Sequence, residues 1–215
     1  MYRLAREVRD LAVRRGVPVY LARAGAWRSD DPLALFRDLV LSVLGLDPDV
    51  PRNRVQEQVD RLAQLGLGVQ ECQALATLLG VGEGQGPGED EVWRSIDRMF
   101  EALARDQRTI VLLEDVHHHA EEGQQDLRRV VERLATRPLF VLLTHTGRPH
   151  EMGGLGDLGQ HVVLGRFGRT ALRRLLRELL EAEDLEEKLV DLAMRTSEGN
   201  PLYVEEMTKY LVAEG

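Results

Sequence analysis

Two carboxylates follow an apolar run: Thr109-Ile110-Val111-Leu112-Leu113 leads directly into Glu114-Asp115. Continuous rather than alternating hydrophobicity reads as a strand buried on both faces, as in a parallel sheet. Open parallel sheets bind ligands outside the carboxyl ends of their strands. Acids delivered there suit a hydrated Mg²⁺ and the polarising of a water; the same pair would also serve simply to cap a following helix. A second apolar run, Leu139-Phe140-Val141-Leu142-Leu143, ends in Thr144-His145-Thr146-Gly147-Arg148-Pro149. A hydroxyl and a guanidinium at a neighbouring strand end could sense a phosphate, or form an ordinary polar exit. A third feature is Met194-Arg195-Thr196-Ser197-Glu198-Gly199-Asn200-Pro201-Leu202. Gly199 stops one helix there and Pro201 starts another, which as a bare pattern is a helix–turn–helix junction.

The elements that must position these residues follow from apolar spacing. Leu4, Val8, Leu11 and Ala12 share a helical stripe, and Val17-Pro18-Val19-Tyr20-Leu21-Ala22 reads as a buried strand. Phe36, Leu39, Val40, Val43 and Leu44 mark a helix that Asp31-Pro32 should open, with an acceptor at the cap and proline at the first position. Residues 54–80 read as two further helices. Val92, Trp93, Ile96, Met99, Phe100 and Leu103 form one amphipathic helix, and Leu127, Val130, Val131 and Leu134 another. His161-Val162-Val163-Leu164 is a shorter candidate strand. Beyond it the pattern is helical throughout: Leu172/Leu175/Leu176/Leu179/Leu180, Leu185/Leu189/Leu192 and Tyr203/Met207/Tyr210/Leu211. The expectation is an α/β core over residues 1–165 with a parallel sheet, followed by a helical subdomain over 166–215.

Other chemistry-bearing residues carry less. Gly80 to Gly88 holds five glycines and a proline in nine residues. It has no lysine, no preceding strand and an acid inside it, so it reads as a surface connection rather than a phosphate cradle. His117-His118-His119 invites a metal reading, but neighbouring side chains point different ways, so a loop role is expected. Cys72, the single cysteine, excludes an internal disulfide and multi-cysteine metal sites, and reads as a small helical core residue. Trp27 and Trp93 read as core or interface anchors.

Composition narrows the partners. Acids outnumber bases 36 to 28, for a formal charge of −8. Nucleic acid and anionic membrane surfaces both need a basic footprint, so neither is expected as the main partner. Arg173, Arg174 and Arg177 are followed by Glu178, Glu181, Glu183, Asp184, Glu186 and Glu187, a solvated face rather than a DNA-reading one. No apolar run approaches a membrane span and the charged start is no signal peptide, so a cytoplasmic location is expected. Of the 28 basic residues only two are lysines, Lys188 and Lys209.

Leu112-Leu113-Glu114-Asp115-Val116-His117, Leu142-Leu143-Thr144 with Arg148-Pro149, and Glu198-Gly199-Asn200-Pro201-Leu202-Tyr203-Val204-Glu205-Glu206 together resemble the signal-transduction (STAND) branch of AAA+-like P-loop ATPases. The likeness is to ATPase modules of large LuxR-type regulators and of proteins carrying adenylate cyclase or Ser/Thr kinase domains. Ser29-Asp30-Asp31-Pro32-Leu33 to Phe36-Arg37-Asp38-Leu39 resembles that family's segment after its second strand. The resemblance implies ATP and Mg²⁺ as ligands. Glu114 and Asp115 would be the Walker B acids, dividing contact with the metal, through water, and with the attacking water between them. Arg148 would be the sensor arginine. Gly199, Asn200 and Pro201 would form the turn near the adenine that couples nucleotide state to a helical lid.

Such ATPases need G-x-x-x-x-G-K-[ST], whose backbone amides and lysine hold the phosphates. No Gly-Lys pair occurs in the sequence. The family layout puts that loop, and the strand before it, ahead of Tyr2. The expectation is therefore a truncated or wrongly started copy of a longer protein, in which this part of an ATP-binding signalling switch serves an effector domain or partner protein. Alone it should bind ATP or ADP weakly and hydrolyse none. The alternative from another class is a pseudo-ATPase that acts as a protein-interaction scaffold.

Overall fold

The three apolar runs near residues 20, 110 and 140 become the three strands of one sheet. The computed structural model describes residues 2–25, 31, 33–82, 88–105, 108–118, 121–134, 136–147 and 153–214. Strands β1 (Val19–Arg23), β2 (Thr109–Glu114) and β3 (Leu139–Leu143) lie in the order β1-β2-β3, all parallel. Val19, Ile110 and Phe140 stand side by side, and the register continues to Leu21, Leu112 and Leu142. Because side chains alternate across a sheet, Tyr20, Val111 and Val141 share one face with Ala22, Leu113 and Leu143.

That face carries the main core. Against it pack Phe36 and Leu39 of α2 (Ala34–Val43), Leu75 of α5 (Val69–Leu78), Ile96, Met99 and Phe100 of α6 (Glu89–Arg105), and Leu127 of α7 (Glu121–Leu134). Helix α1 (Tyr2–Arg14) contacts β1 and buries Ala5 and Ala12, which lie outside that core. On the face opposite the main core Leu112 is buried, whereas Phe140, on the outer strand, is 55% exposed. The free side of β1 is partly closed by α2, where Leu21 N–H donates to Ser42 Oγ at 2.9 Å.

Several local expectations need correction. The α2 helix begins at Ala34 with Leu33 in the cap position, so Asp31 is not the cap residue itself. Its carboxylate instead accepts from Leu33 N–H at 2.9 Å and from Arg37 Nη1 at 2.9 Å, which fastens the entry turn; Pro32 lies outside the described residues. Residues 54–80 form three helical pieces rather than two: α3 (Arg52–Gln58), α4 (Arg61–Gln64) and α5. His161–Leu164 is no strand. Val162 and Val163 are 78% and 83% exposed, and the described sheet has three strands only. β-branched residues favour a strand only where a ladder partner and a packing face exist.

The chain divides into two compact units, Met1–Gln160 and His161–Gly215. The second contains α8 (Arg169–Leu180), α9 (Glu187–Ser197) and α10 (Pro201–Glu214) around Leu172, Leu175, Leu176, Val190, Ala193 and Val204. The inward face of α10 is Val204 and Thr208, with Met207 at its side, while Tyr203 and Tyr210 face outward. Small residues win this face because they let helices approach closely, and the Thr208 hydroxyl is satisfied by donating to Val204 O at 2.7 Å. Among the described residues no helix is long and apolar enough to cross a membrane.

Candidate functional site

The parallel arrangement brings three polar strand ends together: Arg23 from β1, Glu114-Asp115 from β2 and Thr144-His145 from β3. Glu114 is the last residue of β2 and is buried, its side chain 7% exposed. A carboxylate so placed needs a donor. Arg23 supplies it, giving Nε at 2.9 Å and also Nη2 to Glu114 Oε2.

Asp115 leaves the strand with φ of +56°, a left-handed conformation that Asp tolerates better than most residues. Its backbone N–H donates to Thr144 Oγ1 at 3.0 Å, and Val116 N–H donates to Thr144 O at 3.0 Å. Thr144 N–H in turn donates to Leu113 O at 2.9 Å. Thr144 therefore clamps the turn that aims Asp115. The Asp115 side chain is 20% exposed, and Oδ2 lies 3.9 Å from Arg23 Nε.

The histidines line the same exits. Val116–His118 form one short 3₁₀ turn, with the His117 and His118 rings 4.0 Å apart. Thr146 N–H donates to His117 Nδ1 at 3.3 Å, joining the two strand exits. Burial first, and then His118 and His145, push the His117 imidazole below its ordinary value against the opposing pull of Asp115. His145 Nδ1 is buried with no hydrogen-bond partner among the described residues. Among the described residues no group of three or more His, Cys, Asp or Glu could hold a metal ion; His119 lies outside the described residues.

A hydrated Mg²⁺ asks less, since one or two carboxylates acting through its waters suffice. Asp115 fits such a contact: it is partly exposed and its carboxylate is only loosely engaged, by Arg23. Glu114 as placed does not fit, because Arg23 holds Oε2 and the side chain is enclosed.

The remaining residues singled out by sequence lie elsewhere. Arg148 is outside the described residues. Gly199, Asn200 and Pro201 belong to the second unit, in the turn between α9 and α10. Gly199 has φ of +79°, its amide donates to Ser197 Oγ at 3.1 Å, and a Cβ there would sit 2.4 Å from Phe167 O. Gly199 O accepts from Phe167 N–H at 2.7 Å. Asn200 Oδ1 accepts from Leu202 N–H at 3.1 Å, the work of an N-cap side chain, and Pro201 occupies the first turn of α10.

Cys72 is half-buried on α5, where burial pushes its thiol up and away from the reactive thiolate form. Trp93 meets Phe36 edge-on at 4.7 Å; Trp27 lies outside the described residues. Arg23 is the site residue that sequence reasoning missed. Its one signal was position: the first charge after the run Val19-Tyr20-Leu21-Ala22. Comparison with known protein families, with characterised proteins and with solved structures finds no match to this chain.

Proposed function

We propose that the chain supplies the metal-facing and lid portions of an ATP-binding signalling switch of the STAND type. The carrying observation is Asp115: an acid just past the middle strand of a parallel sheet, partly open to solvent and aimed by Thr144 of the next strand. An acid at that position can hold the waters of a nucleotide-bound Mg²⁺. Mg²⁺, when present with ATP, neutralises charge on the β- and γ-phosphates. In this reading Thr144 positions Asp115, and Arg148 senses the phosphate end. Gly199, Asn200 and Pro201 form the stiff junction through which the second unit acts as a lid. The signal passes to an effector domain or a partner protein. The phosphate-gripping loop is not within residues 1–215, since no Gly-Lys pair occurs there.

The first test is ATP turnover by the 215-residue chain. None above background is expected; turnover that disappears in Asp115→Ala would overturn the assignment of the phosphate grip to another segment.

One observation favours a second reading, a pseudo-ATPase scaffold. Arg23 neutralises Glu114 within the protein, leaving that acid a structural rather than a ligand-facing partner. The readings part when an upstream strand and a G-x-x-x-x-G-K-[ST] loop are joined to the chain. Tight, Mg²⁺-dependent binding of a fluorescent ATP analogue supports the switch, and its absence from the folded extended protein supports the scaffold.

A further inference from the structure

The exits of β2 and β3 are tied at two levels. Next to the sheet, Thr144 accepts the Asp115 N–H on Oγ1 and the Val116 N–H on its carbonyl, both at 3.0 Å. Further out, His117 accepts the Thr146 N–H on Nδ1 at 3.3 Å. Residues 115–117 and 144–146 are thus cross-linked by both backbone and side chains.

The His117 side of this link has a firm base. Val116 is fully buried, and His118 N–H donates to Asp115 O at 2.9 Å, which together fix the short turn from which the His117 ring leaves. The His118 ring stands 4.0 Å away, tilted by 42°. A backbone N–H can donate only to an unprotonated ring nitrogen, so the bond from Thr146 selects the neutral ring with its proton on Nε2. Asp115 needs such support. A non-glycine residue at φ of +56° holds a sparsely populated conformation, and it persists only where the surroundings over-determine it. On the other side, Gly147 at φ of +94° turns the chain directly after Thr146, and Arg148 is the next residue in sequence.

We propose that His117 is a positioning residue that locks the exit of β3 to the Asp115 turn, so that the segment leading to Arg148 and the Asp115 carboxylate move as one body. The lock is a property of the chain itself. Its use, coupling phosphate sensing at one exit to metal contact at the other, rests on the nucleotide reading above.

The test uses the full chain, ¹⁵N-labelled, near neutral pH and without ATP or Mg²⁺, so that its failure is separate from any failure of nucleotide binding. Long-range ¹H–¹⁵N correlation should show the His117 ring with its proton on Nε2. The parent is then compared with H117N, H117Q and H117A. Asparagine places its amide oxygen where Nδ1 stands, whereas glutamine reaches the place of Nε2; both remove the ring, so a difference between them reports the bond and not the loss of the ring. H117Q and H117A should speed exchange of the Thr146 amide with water by roughly threefold to tenfold, as expected for one lost hydrogen bond. The Asp115 amide, held by Thr144 in the same unit, should speed up with it. H117N should restore both amides to near the parent rate. A ring proton on Nδ1 in the parent, or unchanged Thr146 exchange in H117Q and H117A, would overturn the proposal. So would an H117N that behaves like H117A, or a Thr146 amide that speeds up while Asp115 does not.

Discussion

Arg23 Nε donates to Glu114 Oε2 at 2.9 Å, joining the ends of β1 and β2 across 91 residues of sequence. Nη2 of the same guanidinium reaches the same oxygen, and Asp115 Oδ2 lies 3.9 Å from Nε. One cation thus faces two adjacent acids, and it divides them: Glu114 is enclosed and paired, while Asp115 stays partly open.

Removing the cation should therefore hurt more than removing both charges. R23A leaves the Glu114 carboxylate enclosed without its donor and should cost about 1–3 kcal/mol, reduced from fully buried cases because the Arg23 side chain is 42% exposed. E114Q in the R23A background should recover part of that loss. Urea unfolding of the single and double variants measures the coupling, and strict additivity would contradict it.

The turn between α9 and α10 depends on glycine for two separate reasons, its φ of +79° and the absence of room beside Phe167 O. G199A should destabilise the second unit by about 2 kcal/mol or more. N200A, which removes a cap bond only, should cost about 1 kcal/mol. Amide exchange resolved by segment should show the loss in residues of α8 to α10.

Glu181 ends α8 in the left-handed region, at φ of +50°. A glycine pays no Cβ penalty there, so E181G should stabilise the second unit by about 1 kcal/mol. A fall in stability on thermal unfolding would count against the cap geometry.

The bonds from Arg137 and then Arg98 hold the Glu101 carboxyl below its ordinary value of 4.5. A carboxylate depressed in the folded state stabilises fully above its unfolded value, and that contribution fades as pH falls through the folded one. The pair is near the surface, so the effect should stay below about 1 kcal/mol. E101Q should flatten the acid limb of a melting-temperature profile relative to the parent and change little at neutral pH.

What the sequence made legible were the features written in consecutive residues. Thr109–Leu113 and Leu139–Leu143 are apolar without interruption, and burial between strand neighbours and helices is the simplest use for such runs. Their parallel pairing, and the carboxylates at the end of β2, follow from the same reading. Long-range pairing was not legible. Nothing near Arg23 in sequence points to Glu114, because their proximity arises only from the register Arg23–Glu114 of two paired strands. The valines of His161–Leu164 misled because intrinsic preference cannot supply a partner strand. On α10 the large aromatics suggested the buried stripe, but Val204 and Thr208 pack closer.

The central claim is that Asp115, and not Glu114, is the acid that faces a nucleotide's metal. The measurement is Mg²⁺-dependent binding of a fluorescent ATP analogue to the chain joined to an upstream strand and G-x-x-x-x-G-K-[ST] loop, comparing D115N with E114Q. The account predicts saturable binding whose Mg²⁺ dependence is lost in D115N and kept in E114Q. A folded extended protein that binds no analogue, or one whose Mg²⁺ dependence survives in D115N, would contradict it.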